Sequence, residues 1–454
     1  MEDITMRKIF QYIMLAVVTI VMASCTSDIE ETTATTGKNN VQLVVGEFPA
    51  FGDSQTRTIG TPDEGKTSWA EGDKLLLVIH NTSYGKQYAT FTYNGKSWEL
   101  TSGELVYREG DPAYIPHVYY APNYKWEAGK LVLKEGKVAG TDEYIEGNAK
   151  ITGNGETITV SFAEATRKYS RLRIATLPNE QITVDTEYFT PAGSSDMEQK
   201  GNYTLTSDEN GNAYLYGTFE NNSEVTVKYR GATLKTHQFS KETEKAKSYA
   251  LDATVISANS AEEIKSAIEQ KVADGKTTIR LNLAPNAGTD EFMAIREAIK
   301  GAAPNDEGTI ELTIIGVETI PEEAFYKMSQ LKSVKMPNVK EIKKYAFKEC
   351  QYLTVVEAPS LNKLYSGAFN KCNLLSKLTF GPINYADARY WPIFEDITPN
   401  IDLILSDYQK EMIETDDDLY TANNDIDYAL SDKHVSRNFL GHEFKSITCI
   451  YKFE

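Results

Sequence analysis

Two of the four cysteines, Cys350 and Cys372, lie 22 residues apart, and that spacing frames what chemistry they can do. On adjacent turns of a coil their Cα atoms would come within about 5–6 Å, inside disulfide range. Met328 stands a further 22 residues upstream, in the same slot. A thioether cannot bridge, so the slot reads as a row of soft apolar side chains with Cys350 and Cys372 as buried free thiols. A metal site there is poorer still, because no histidine is near in sequence. The five histidines, His80, His117, His237, His434 and His442, fall in no HExxH pattern, and neither a phosphate-binding loop nor a nucleophile elbow occurs. A Cys–His pair would use Cys449 with His434 or His442, but Cys449 sits in an expected strand and reads as a packed thiol. Between Glu411 and Asp432 eight acids occur without Lys or Arg: Glu411, Glu414, Asp416, Asp417, Asp418, Asp425, Asp427 and Asp432. Clustered carboxylates attract hard cations, yet this spacing fits no EF-hand loop, so a solvated acidic loop is expected. Tyr114, Tyr119, Tyr120, Tyr124 and Trp126 could face a sugar, although most rings in a β-region pack against strands. No catalytic residue, metal or cofactor is expected, and the chain reads as a non-enzyme.

The elements that position these residues are periodic. Ala324-Phe325, Ala346-Phe347 and Ala368-Phe369 head three copies of one unit. Each copy continues through Met328, Cys350 or Cys372, then Leu331, Leu353 or Leu375, into a short apolar strand ending at Pro337, Pro359 or Gly381. A fixed period of this length denotes stacked repeats, each unable to bury its apolar face alone. Parallel stacking at about 4.8 Å per coil would put Phe325, Phe347 and Phe369 in one inner column and Leu331, Leu353 and Leu375 in another. Leu312-x-Ile314 precedes Val334-x-Met336 by the same interval and is expected to cap the stack. Before it, 261–274 and 290–299 read as helices, the first capped by Ser260. Thr278 to Leu283 and Thr309 to Ile315 read as strands.

Residues 41–250 look different. Ile158, Val160 and Phe162 alternate with polar residues, as do Val225, Val227 and Tyr229. That is the period of half-buried strands. Leu75 to Ile79 is wholly apolar, which suits a strand covered on both faces. Asn94-Gly95, Gly153-Asn154-Gly155 and Asn210-Gly211 supply turns. Many short antiparallel strands joined this way imply sandwiches. The 454-residue chain carries a net charge of −18 and no basic block, which excludes nucleic acid as a partner.

At the N-terminus, Arg7-Lys8, an apolar run from Ile9 to Val21 and small residues before Cys25 have the architecture of a secretory signal. Met22-Ala23-Ser24-Cys25 resembles the bacterial lipobox, which implies a lipid on Cys25 and attachment to the outer membrane. The acidic residues that follow resemble the surface-export signal of Bacteroidetes lipoproteins, which implies display on the cell exterior. Gln55-Thr56-Arg57-Thr58, Trp69-Ala70-Glu71-Gly72-Asp73 and Lys247-Ser248-Tyr249-Ala250-Leu251 together resemble the fimbrillin-like lipoproteins over about 41–253. That resemblance implies two transthyretin-like β-sandwiches, a role in adhesion or a pilus, and Arg57 as the candidate for proteolytic maturation. The repeats resemble the BspA-like branch of leucine-rich repeats over about 309–384, which implies a horseshoe or ladder used for protein or host-surface contact.

The expected organisation is multidomain. A signal peptide (1–24) and lipidated tether (25–40) precede two antiparallel β-sandwiches (41–165 and 166–253). A short α/β leucine-rich-repeat solenoid (255–454) follows, with an α/β cap before it and an acidic cap after it. The leading reading is an outer-membrane surface lipoprotein acting as an adhesin toward a protein or extracellular-matrix ligand. Two alternatives stand beside it: a pilus tip or accessory subunit joined to other subunits by strand exchange, and a glycan-binding accessory lipoprotein. The 203 residues after Leu251 fit a capping or stand-alone role better than a repeating stalk.

Overall fold

The structure is a computed structural model that describes residues 41–53, 66–106, 113–152, 157–162, 167–258, 260–387, 392–406, 438–440 and 442–450. Cys25, Arg57, His434 and the acids from Glu411 to Asp432 lie outside these residues. The chain is multidomain and mostly β, with two helices among the described residues. Neither is long and apolar enough to cross a membrane.

The first region is a seven-stranded sheet. Its spatial order is Gln42–Val45, Thr157–Ser161, Ile145–Thr152, Ala113–Tyr120, Lys74–Asn81, Gly85–Tyr93 and Trp98–Gly103. The outermost pair, Gln42–Val45 on Thr157–Ser161, is parallel, and the other pairs are antiparallel. The two edge strands approach each other, so the sheet curls about its core. Leu75, Leu77, Ile79, Phe91, Val118, Ile158 and Val160 fill that core together with Val41, Leu43 and Phe48. Leu76 faces the other way and packs beneath a hairpin formed by Tyr124–Glu127 and Lys130–Leu133. The apolar run at 75–79 is therefore covered on both faces.

The second region is an eight-stranded sheet. Its order is Ala232–Gln238, Glu224–Tyr229, Gln181–Pro191, Asn212–Phe219, Ser170–Ala175, Lys247–Asp252 and Gly52–Asp53, with Glu198–Thr206 also paired to Gln181–Pro191. Gly52–Asp53 lies parallel to the start of Lys247–Asp252. The segment 41–53 thus supplies an edge strand to each sheet.

Buried cations mark the two junctions. Arg167 has no exposed side-chain surface; it pairs with Glu143 at 2.5 Å, donates to the Pro49 carbonyl at 2.8 Å and stacks 3.7 Å over Phe51. Burial opposes its charge, but Glu143 outweighs that and holds the guanidinium above its ordinary pKa. At the second junction Arg280 donates through Nε to the Leu234 carbonyl at 2.7 Å and through Nη1 to the Thr254 carbonyl at 3.4 Å. Ile315, from the third region, packs into the core of the second.

The third region opens with helices Ala261–Ala273 and Thr289–Ala302. Ser260 Oγ accepts from the Glu263 amide, and the Glu291 carboxylate accepts from the Gly288 amide at 2.8 Å, so each helix start has a side-chain partner. An eight-stranded, all-parallel sheet follows. Its order is Ile256–Ser257, Thr278–Asn282, Ile310–Ile315, Leu331–Lys335, Val355–Ala358, Lys377–Phe380, Asp402–Ser406 and Ser446–Ile450. A second parallel sheet, Thr319–Ile320, Glu341–Ile342, Lys363–Tyr365 and Tyr385–Asp387, faces it across one shared apolar core.

Candidate functional site

The repeat stack is the candidate site, and its surface is set by the register of its interior. Val334, Val356 and Leu378 are direct neighbours in the larger sheet. Ile320, Ile342, Leu364 and Ala386 are neighbours in the smaller one. Both steps equal the sequence period, so each apolar residue meets its own equivalent in the next coil. Phe325 and Phe347 have ring centroids 5.1 Å apart at 20°, and Phe347 and Phe369 5.4 Å at 5°. Phe394 adds a fourth ring, 5.8 Å from Phe369 at 9°. All three repeat phenylalanines are fully buried, as are Leu331, Leu353 and Met328, and Leu375 is 2% exposed.

Cys350 and Cys372 are free thiols in this column. Cys350 Sγ donates to the Phe325 carbonyl at 2.9 Å, and Cys372 Sγ to the Phe347 carbonyl at 3.0 Å. Each thiol therefore ties its coil to the preceding one without a covalent bond. Burial pushes the Cys350 thiol up to about 12 and the Cys372 thiol well above its ordinary range, so both stay protonated at neutral pH.

A third ladder runs through the turns. Glu323, Tyr345 and Gly367 occupy equivalent places with φ of 56°, 56° and 64°, and Lys327, Glu349 and Lys371 do so with φ of 58°, 61° and 60°. These left-handed residues rotate the intervening amides toward the next coil. Phe325 N donates to Ala346 O at 2.8 Å and Phe347 N to Ala368 O at 2.9 Å; Lys327 N and Glu349 N repeat the pattern two residues further on in the same turns. Gly367 was the one sequence signal for this row.

The exterior carries rows of polar side chains in the same period. The stretch 309–384 holds ten Lys and seven acids, in a chain of net charge −18. Many are engaged between coils: Lys332 with Glu311 (2.8 Å), Lys335 with Glu357 (3.0 Å), Lys340 with Glu318 (2.6 Å) and Lys327 with Glu349 (3.6 Å). Such exposed pairs contribute little each, about 0–1 kcal/mol, but they order the rows. On the smaller sheet Lys343 lies 4.6 Å over the Tyr365 ring and 2.7 Å from Glu341, which also accepts from Tyr365 Oη at 2.6 Å. Burial raises the Glu341 pKa, yet the hydrogen bonds from Lys343 and Tyr365 outweigh it and hold the carboxyl low. The result is a rigid, mixed-charge surface with half-buried tyrosines at Tyr326, Tyr345, Tyr365 and Tyr385. It offers shape, charge and aromatic contact, the elements of a protein-recognition face.

Other sequence candidates are dispersed. Cys449 lies half-buried in Ser446–Ile450, and His442 packs against Phe394 and Phe444 with ring centroids at 5.7 and 4.9 Å. Among the described residues no group of His, Cys, Asp or Glu is placed to hold a metal ion. Tyr120, 5% exposed, belongs to the main core of the first sheet, whereas Tyr124, 7% exposed, packs with Tyr119 and Trp126 in a separate cluster at the hairpin. Tyr119, Tyr124 and Trp126 therefore form a satellite core, with Trp126 at its rim.

Comparison with known proteins follows this geometry. Residues 309–390 match the family described as BspA type leucine rich repeat region (6 copies). The match extends the three sequence repeats through Tyr385–Asp387, the fourth strand of the smaller sheet. A solved structure from Bacteroides fragilis, provisionally assigned as a cell adhesion protein, aligns with 47% of this chain and 93% of its own at 11% identity and a TM-score of 0.27. A likeness this distant supports nothing about fold or function. No curated protein matches the chain.

Proposed function

We propose that this protein is a cell-surface lipoprotein adhesin that grips a protein or matrix ligand with its repeat stack. The observation that carries the reading is the register of the stack. Identical positions recur every coil, so the exterior presents straight rows of Lys, Glu, Thr and Tyr on a scaffold with three coil-to-coil ladders. A preorganised surface loses little entropy on binding. In this reading Cys25 bears the lipid, residues 26–40 form the tether and the protein faces outward. The two sheet regions are then fimbrillin-like, transthyretin-type sandwiches that hold the solenoid away from the membrane.

The test is binding of the full chain to arrayed host and matrix proteins. Reversing charges on the outer face of the larger sheet, with Lys335→Glu and Lys377→Glu together, is expected to weaken capture by about tenfold or more. Unchanged capture by a folded variant would sink the repeat surface as the contact face. Protease treatment of intact cells tests display, since repeats protected from digestion would place them inside.

A second reading, a pilus tip or accessory subunit, is favoured by one feature. Gln42–Val45 is an edge strand on Thr157–Ser161, and with the flanking residues it seats Val41, Leu43 and Phe48 in the first core. Cleavage at Arg57 would release that strand and open a groove for another subunit's strand. The strand Ser446–Ile450 is already built into the repeat sheet of its own chain. Polymer bands on a gel that vanish on Arg57→Ala would favour this reading over the first.

A further inference from the structure

The outer face of the first sheet carries a groove of about 740 Å³, remote from the repeat rows. That size falls within the usual range of small-ligand sites. Its floor is formed by Gly85–Tyr93 and Trp98–Gly103, and one wall is the hairpin Tyr124–Glu127/Lys130–Leu133. Two glycines shape it. Gly103 has φ of 87° beside the register shift at Thr90/Phe91, and a Cβ there would lie 2.0 Å from the Tyr88 carbonyl. Gly129, at the hairpin turn with φ of 73°, lets that turn close over the Tyr88 ring, for a Cβ would stand 3.1 Å from Tyr88 Oη.

Three kinds of group converge on the groove. Trp126 meets Tyr88 with ring centroids 4.9 Å apart at 59°. Thr92 and Thr101 share a hydrogen bond of 2.8 Å between hydroxyls that line the floor. Lys74 is exposed at the rim, and Lys134 is held near it by the Pro122 carbonyl at 2.5 Å. Burial lowers the Lys134 pKa and the neighbouring Lys74 and Lys137 lower it further, so the cations are crowded together. The acid at the rim, Asp73, is already engaged by Lys66 at 2.7 Å, by the Ala70 amide at 2.7 Å and by Tyr120 Oη at 3.0 Å. Trp126 Nε1 is shielded from solvent and has no hydrogen-bond partner among the described residues.

Ring faces, hydroxyls and crowded ammonium groups match the three features of one ligand class: the C–H face of a pyranose, its hydroxyls and a carboxylate. We propose that this groove binds an acidic oligosaccharide, with Tyr88 and Trp126 against the sugar face and Lys74 and Lys134 at the carboxylate. This site is separate from the repeat surface and stands or falls without it.

The experiment is affinity electrophoresis of the full chain through gels containing oligogalacturonate, with dextran as the neutral comparator and polyglutamate as a polyanion without sugar. Retardation by oligogalacturonate alone is expected, because a chain of net charge −18 repels polyanions in general. Trp126→Ala and Lys74→Glu are each expected to weaken retardation about tenfold or more. Lys74 is exposed, so its variant keeps the fold if Trp126→Ala loses it. Equal retardation by dextran or by polyglutamate would overturn the acidic-sugar assignment, and full retardation of Lys74→Glu together with a folded Trp126→Ala would overturn the groove.

Discussion

Phe347 shows how much one residue carries in this stack. A ring covers each of its faces, at 5.1 and 5.4 Å, and it is wholly buried. Phe347→Ala would leave a void between two fixed rings that cannot collapse, because both belong to hydrogen-bonded coils. A loss of about 3–5 kcal/mol is expected in chemical denaturation. A loss under about 1 kcal/mol would show that the column is not close-packed. The identity of the column was legible in the sequence, since Phe325, Phe347 and Phe369 share one spacing. Phe394 was not, because it follows Phe369 by 25 residues. Nor was the destination of the Cys350 and Cys372 thiols legible. Spacing said that they share a slot with Met328, but only the turn geometry aims each sulfur at a carbonyl.

At the scale of the element, the turns are where the stack is both tightest and most strained. A side chain in the left-handed region costs roughly 1–2 kcal/mol, and a glycine costs about 0.5–1 kcal/mol of chain entropy instead. Gly367→Ala is therefore expected to destabilise by about 1 kcal/mol, while Glu349→Gly is expected to be neutral or mildly stabilising apart from its lost ion pair. Melting temperatures of the two variants check this, and a lower melting point for Glu349→Gly with an unchanged Gly367→Ala would contradict it. The helices and the longer strands were readable because their periods persist. The helix expected at 261–274 spans Ala261–Ala273, and the strand expected from Thr278 to Leu283 spans Thr278–Asn282. The smaller sheet was missed because Thr319–Ile320 and Glu341–Ile342 are two residues each, too short to show alternation. A comparison across copies would have found it: Val317, Val339, Leu361 and Ile383 recur at the repeat interval, all buried.

For the whole molecule, the junctions and the half-buried His442 decide how it responds to change. Arg167→Ala would strand Glu143 without its partner, and a loss of about 3–5 kcal/mol is expected by calorimetry. Stability close to that of the parent would mean that the first junction does not depend on this pair. Burial also lowers the pKa of His442, and burial together with Lys235 lowers that of His237. With folded values below the unfolded one of about 6.5, the unfolded chain binds more protons as pH falls, so stability is full above that value and declines below it. Asp252 is also held low: burial opposes its charge, but hydrogen bonds from Thr254 prevail, and its contribution is lost as pH falls below about 4. Melting temperature should therefore fall between about pH 7 and 5, less so in His442→Phe; a flat profile would contradict the half-buried imidazole of His442. These features were not legible in advance, because Glu143 and Arg167, or Leu234 and Arg280, meet only in three dimensions. One further consequence follows from the last rung. Asp402–Ser406 and Ser446–Ile450 pair in register at an offset of 44, twice the repeat interval. From Glu311 to Leu378 the stack behaves like a measuring rule, each rung set by the length of chain between it and the one before. One extra residue between Leu331 and Phe380 would throw every later mark out of line.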